Sequence, residues 1–211
     1  YHNNIVSLIN LLQLMPKYDV KGIIFSSSCT VYGQPDVLPA TEETPIKKAE
    51  SPYGNTKQIN EEIIADTIKS GSPIKAILLR YFNPIGAHPT AFIGEMPNGV
   101  PQNLIPYLTQ TAMGIRKELS VFGDDYDTPD GSCIRDYIYV VDLAKAHVCA
   151  MTRIMEDQTT EPVEVYNIGT GTGTSVLELI NAFEKATGVK LNYKIVGRRA
   201  GDIEKVWGNV D

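Results

Sequence analysis

"SPYGNTKQINEEIIADTIKSGSPIKAILLRYFN", residues 51–83, contains one helix and one strand in sequence. Ser51 suits an N-cap and Pro52 the first helical position. Ile59, Ile63 and Ile64 give that helix an apolar face, and "SGSP" (70–73) ends it. "AILLRYFN" (76–83) is a nearly continuous apolar run, the pattern of a strand buried on both faces of a parallel sheet. Upstream, "GIIFSS" (22–27) has the same character. Before it, Ile5, Leu8, Ile9, Leu12 and Met15 recur at helical spacing as far as Pro16. Strand, loop, helix, strand in this order is the signature of right-handed βαβ crossovers and predicts a doubly wound α/β fold.

Downstream the texture changes. "NPIGAHPTAFIGEMPNGVPQN" (83–103) is rich in Pro and Gly and reads as a long ordered loop or a small irregular lobe. A helix over "NLIPYLTQTAMG" (103–114) follows, then short strands at "LSVFG" (119–123) and "IRDYIYV" (134–140). Asp142 is expected to cap a helix from Leu143 to about Met155, and "VEVYNIG" (163–169) is a further buried strand. Ser175 and Glu178 form a capping box for a helix closed by Gly188. "GTGTG" (169–173) has G-x-G-x-G spacing, not G-x-G-x-x-G, and no acidic residue at the expected distance downstream. It is read as a tight strand-to-helix turn. The expected division is residues 1–83 as one unit and 84–211 as mostly a second lobe, with some elements returning to the first.

Composition narrows the function classes. The 211 residues are 43% hydrophobic and 21% charged, ordinary for a globular protein, and long enough for a substantial core. A net charge of −6 with scattered Lys and Arg argues against a nucleic-acid surface. No stretch is apolar enough to span a bilayer, and no signal peptide is expected. Cys29, Cys133 and Cys149 lie in apolar runs without C-x-x-C spacing, which suits reduced, cytoplasmic thiols. With no ligand pattern among the three histidines, no metal site is expected. The chain opens at "YHNNIVSLINLLQLM" without an initiator Met and closes at "VWGNVD", so it is expected to be an internal stretch of a longer protein. Alone, such a fragment is expected to be inactive.

The chemistry lies at the start of the opening stretch. Tyr53 and Lys57, four residues apart, share one helix face. In a doubly wound sheet that helix end lies near the carboxyl edge of the preceding strand, where ligands bind, and Ser28 reaches the same edge. A hydroxyl, a phenol and an ammonium converging there make a plausible proton-transfer site. Free tyrosine, with a pKa near ~10, is a poor base at neutral pH, but a nearby Lys⁺ or a positively charged cofactor ring favours the phenolate. The alternative for Tyr-x-x-x-Lys alone is two side chains that merely share a face.

Longer motifs decide between these. "SSSCTVYG" (26–33), "SPYGNTK" (51–57) and "LLRYFNPIGAHP" (78–89) resemble the extended short-chain dehydrogenase/reductase family. "DGSCIRDYIYVVDLAKAH" (130–147), "YNIGTGTGTSVLE" (166–178) and "GRRAGD" (197–202) extend the likeness over essentially the whole chain. Within the family the pattern looks most like the branch that interconverts UDP-glucose and UDP-galactose at C4 in galactose metabolism. The resemblance implies an incomplete doubly wound (Rossmann-like) parallel sheet lacking its N-terminal strands and phosphate-binding loop, with a smaller C-terminal α/β lobe for the substrate. It implies bound NAD, a UDP-sugar substrate and a homodimer packed through the helices at 4–15 and 53–68.

Site residues follow from the resemblance. Tyr53 is implied as acid and base, Lys57 as the group that binds the nicotinamide ribose and depresses the tyrosine pKa, and Ser28 as a partner for O4. Asn3 and Phe82 are implied in the cofactor pocket. Asn83, Asn103 and Leu104 are implied beside the nucleotide sugar, and Ser120, Val121 and Phe122 beside the uracil. Arg135 and Arg199 are implied on the diphosphate and Asp202 on the uridine ribose. Arginine suits the diphosphate through its planar fork, although both could instead be ion-pair partners. Val206 stands where many relatives carry a bulkier tyrosine, which implies room beside the sugar 2-position. Three other readings stay open: a 4,6-dehydratase, whose Asp and Glu are replaced here by the Ser and Cys of "SSSC"; a uronate epimerase; and a non-catalytic binding module.

Overall fold

A computed structural model describes residues 1–210. The first elements are α1 (His2–Leu14), β1 (Gly22–Ser26), α2 (Pro52–Lys69), β2 (Lys75–Tyr81) and β3 (Asn83–Ile85). They are followed by α3 (Leu104–Ala112), β4 (Leu119–Phe122), β5 (Ile134–Tyr139), α4 (Val140–Met155) and β6 (Val163–Ile168). The chain closes with β7 (Gly173–Ser175), α5 (Val176–Thr187), β8 (Tyr193–Val196) and β9 (Lys205–Val206).

The fold is α/β and its principal sheet is parallel, in the order β1-β2-β6. β2 is the central strand, and its alternation shows why the run over residues 76–79 is apolar throughout. Ala76 and Leu78 pack with Leu8, Leu12 and Met15 of the α1 side and Ile64 of α2. Ile77 and Leu79 point the other way, onto Ala150 and Ile154 of α4. Successive strand residues face opposite sides of the sheet, so a strand covered by helices on both sides is apolar wherever a side chain has no buried polar partner. Burying one such aliphatic side chain contributes about 1.5–3 kcal/mol.

A second sheet runs β3-β5-β7 with β9 paired to β5, and only the β5–β7 pairing is antiparallel. A parallel pair, β4–β8, lies on a separate core of Leu108, Leu119, Val121, Ile180 and Leu191. The helix signals act as read: Ser51 Oγ accepts the Gly54 N–H at 3.1 Å, Ser175 and Glu178 cap reciprocally, and Gly188 ends α5 at φ 72°.

Several boundaries differ from expectation. The first helix ends at Leu14, and Pro16 lies inside a 3₁₀ turn over Met15–Tyr18, where a missing N–H costs nothing. The strand expected through residue 83 stops at Tyr81, and Asn83 opens β3 in the other sheet. Asp142 does not cap its helix: α4 begins at Val140 with Tyr139 before it. Asp142 instead sits in the first turn, where its charge suits the helix dipole, 3.0 Å from Lys145. Cys29 and Cys133 are buried, but Cys149 is exposed.

Candidate active site

β1 ends at Ser26, and the chain turns through Ser27 and Ser28 into a 3₁₀ turn, Cys29–Tyr32. Ser28 is the N-cap of that turn, its Oγ accepting the Thr30 N–H at 3.2 Å, and its side chain is buried. α2 arrives close against the same turn because Gly54 has no side chain: a Cβ there would lie 3.2 Å from the Thr30 carbonyl oxygen. The close approach brings Tyr53 and Lys57 to the Ser28 edge.

Lys57 Nζ donates to the Ser26 carbonyl at 2.7 Å, and lies 5.4 Å from the Tyr53 ring centroid and 5.0 Å from that of Phe25. Burial lowers the Lys57 pKa. Tyr53 keeps 47% of its surface exposed. Burial of its inner part pushes the phenol above its ordinary value, as do Tyr81 and Cys29, while the Ser28 hydroxyl pulls it back. Burial pushes the Cys29 thiol up to about 12, so it packs rather than reacts. The three residues of the predicted acid/base group therefore converge. The phenol stands above its ordinary value in this structure, not below it, with burial as the largest cause.

Further along the chain, Arg199 pairs with Asp202 at 2.7 Å and its guanidinium carbon lies 5.3 Å over the Phe122 ring, so three predicted residues form one group. Arg135 has Nη1 on the carbonyls of Ile134 (2.8 Å) and Glu204 (3.4 Å). Among the described residues it has no carboxylate partner within ion-pair distance. Asn83 and Ser120 are half-buried, and Asn103 is exposed, donating to Glu95 at 2.8 Å.

Other predicted residues serve packing. Val121 is buried in the α3–α5 core and Leu104 packs against that core. Phe82 and Val206 are buried with Cys29, Val31 and Tyr32 in a cluster beneath the Ser28 turn. Val206 is 1% exposed, which corrects the expectation of open space at that position. Asn3 is exposed, its carbonyl accepting from Ser7, and the neighbouring Asn4 makes the bonds to α2.

The "GTGTG" turn wraps an internal anion. Buried Asp136 accepts the Thr170 N–H (2.8 Å) and hydroxyl (2.7 Å), the Gly171 N–H (3.0 Å) and the Gly208 N–H (3.4 Å). The reading of this motif as a turn thus has a physical reason. A second buried group went unread in the sequence: Glu61, Arg80, Ser27 and Tyr32 lie behind the Ser28 turn. The available signal was Glu61 at four residues beyond Lys57 and Arg80 inside a doubly buried strand. Among the described residues no three His, Cys, Asp or Glu side chains are placed to hold a metal ion, and no helix is long and apolar enough to cross a membrane.

The model of the NAD dependent epimerase/dehydratase family matches residues 1–169. UDP-glucose 4-epimerase 2 of Arabidopsis thaliana is 53% identical over 211 residues, all of this chain and 59% of that protein. UDP-glucose 4-epimerase of Homo sapiens is 48% identical over 209 residues, 99% of this chain and 59% of its own length. Among solved structures, UDP-glucose 4-epimerase from Bifidobacterium longum, in complex with NAD⁺ and UDP, superposes with a TM-score of 0.94 at 51% identity, covering all of this chain and 62% of that one.

Proposed function

The chain belongs to the NAD dependent epimerase/dehydratase family, and from that membership we propose that the protein carrying it interconverts UDP-galactose and UDP-glucose by transient oxidation at C4, with Tyr53 as acid and base. The observation that carries the reading is the convergence of Tyr53, Lys57 and Ser28 at the carboxyl edge of β1. The chain spans 59% of the length of the Arabidopsis relative, so the activity is read for the whole protein.

The donor set fits a dinucleotide's nicotinamide end. Lys57 spends one N–H on Ser26 and keeps two for a ribose diol, while Tyr53 and Ser28 present hydroxyls beside it. Phe82 and Asn3 complete the proposed cofactor side. Bound NAD supplies hydride acceptance and return at C4, and a positive ring that favours the phenolate. Tyr53 then takes the proton from the 4-hydroxyl and later restores it, with Ser28 holding O4 in line. Arg135, free of any described carboxylate, and Arg199 hold the diphosphate. Asp202, Ser120, Val121 and Phe122 hold the uridine side, and Asn83, Asn103 and Leu104 the sugar side. A flat keto sugar tethered by its diphosphate can present either face to the same hydride source, which is what inversion at C4 requires.

The same reading carries a homodimer through α1 and α2, supported by exposed Val6, Leu11 and Leu14 on α1, and a cytoplasmic place, supported by three free cysteines. Sedimentation of the full-length protein as a monomer at micromolar concentration would remove the dimer. The function itself is tested by assaying the full-length protein for exchange of UDP-galactose and UDP-glucose. Tyr53→Phe should cut turnover by at least about a hundredfold with substrate affinity little changed, the scale of one acid/base group. Near-normal turnover in Tyr53→Phe sinks the assignment.

A further inference from the structure

Behind the acid/base group lies a buried ion pair that the proposed reaction does not itself use. Glu61 and Arg80 side chains are 6% and 7% exposed, and they meet through a fork: Arg80 Nε to both Glu61 oxygens (3.0 and 3.3 Å) and Nη2 to Oε2 (2.6 Å). Arg80 Nη1 donates to Tyr32 Oη and to the Glu42 carbonyl, each at 3.2 Å, and Tyr32 Oη donates to Asn167 at 2.7 Å. The remaining contact on Glu61 comes from Ser27 Oγ, fully buried, which donates to Oε1.

The spacing gives this cluster its meaning. Tyr53, Lys57 and Glu61 are separated by four residues each, so they form one stripe down the inner face of α2. Lys57 grips the carbonyl of Ser26, and one turn deeper Glu61 grips the hydroxyl of Ser27. Two successive turns of one helix thus clasp two successive residues at the exit of β1, immediately before Ser28. Gln58 Nε2 also ties α2 to the turn, at 2.8 Å from the Val31 carbonyl, but the two contacts spaced by a helical turn are those that set its register at the strand exit itself. Arg80, rooted in the central strand, holds the lower contact in place.

We propose that Glu61 and Arg80, acting through Ser27, are positioning residues that fix the register of α2 against the β1 exit and so hold Tyr53 and Lys57 in line with Ser28. The inference rests on the reading of Tyr53 as acid and base. It predicts a pH effect through the groups that face Tyr53: Lys57 on its own helix, Ser28 and Cys29 on the turn, and Tyr81 on β2. His147 of α4 stands behind them, 3.1 Å from Ser26 Oγ and 6.2 Å from the Tyr81 ring. Ser28 pulls the Tyr53 phenol down, so loosening Ser28 moves that phenol up.

Ser27→Ala in the full-length protein is the cleanest test, because it removes the clasp and leaves the Glu61–Arg80 pair intact. Turnover should fall at least about tenfold with KM for UDP-galactose within about twofold, the cost of a small misplacement. The acid limb of the kcat profile and the ultraviolet titration of the Tyr53 phenol, isolated by difference from Tyr53→Phe, should both move upward. Glu61→Gln should act in the same direction. An unchanged acid limb and phenol titration, even with a lowered melting temperature, would mean a purely structural role and overturn the proposal. Absence of UDP-sugar exchange in the wild-type protein would fault the functional reading instead, and the phenol titration would still decide the positioning role.

Discussion

Arg80 and Arg135 are both strand arginines, yet their surroundings are opposite. Arg80 lies on the buried central strand with its fork filled by Glu61, Tyr32 and the Glu42 carbonyl. Arg135 lies on β5, half-buried, and among the described residues its Nη1 donates to two backbone carbonyls. A guanidinium that costs several kcal/mol to desolvate is tolerable in the first place only because a carboxylate compensates it. In the second, no carboxylate among the described residues lies within ion-pair distance. The difference teaches that an arginine's partners, more than its burial, mark the one committed to the scaffold, and the recognition role proposed for Arg135 is the counterpart to test.

Breaking the first arrangement should have the largest effect. Arg80→Met leaves the Glu61 carboxylate buried and unpaired, and should cost about 3–5 kcal/mol of stability in the full-length protein. Denaturant unfolding would measure it, and a loss below about 1 kcal/mol would mean that Glu61 finds water or another donor. Breaking the second should leave stability within about 0.5 kcal/mol. Arg135→Gln should instead weaken UDP-sugar binding by about 10- to 150-fold, the value of a charged hydrogen bond of about 1.5–3 kcal/mol. Calorimetric titration with UDP would read it, and unchanged affinity would return Arg135 to the scaffold.

A smaller effect sharpens the comparison at a third cation. Lys57 shares features of both arginines: one N–H is fixed on Ser26, and the charge faces Tyr53. Lys57→Met removes a cation that favours the phenolate, so the pKa governing the acid limb rises and the limb moves upward. About one pH unit corresponds to about 1.4 kcal/mol of lost interaction. A profile that falls in height but keeps its shape would restrict Lys57 to positioning ligand.

What the sequence disclosed follows from where information is local. α2 and α5 were legible because caps and apolar spacing lie within one stretch, and β2 because helices on both faces call for a nearly continuous apolar run. β7, β8 and β9, at two to four residues, are too short to carry a period and exist only through their partners. Tyr53, Lys57 and Ser28 were legible through their motifs. The Ser27–Glu61–Arg80 group was not, since its bonds cross 34 and 19 residues and a helix glutamate ordinarily reads as solvated surface. Arg80 inside "AILLRYF" was the missed clue, because a charge in a doubly covered strand must find a partner. Val206 shows the reverse error: a likeness in sequence position placed it at the sugar, while packing places it in the core.

The anion held by the glycine turn sets a timetable for the growing chain. Asp136 receives bonds from residues 34, 35 and 72 positions further along. At ~5–20 residues per second of synthesis, the last donor arrives roughly 4–14 s after the carboxylate is made. Through that interval the future interior holds a carboxylate whose donors are still incomplete, and water must stand in for them. Final closure of the β5 region therefore waits for Gly208, so this part of the molecule is completed from its carboxyl-terminal end.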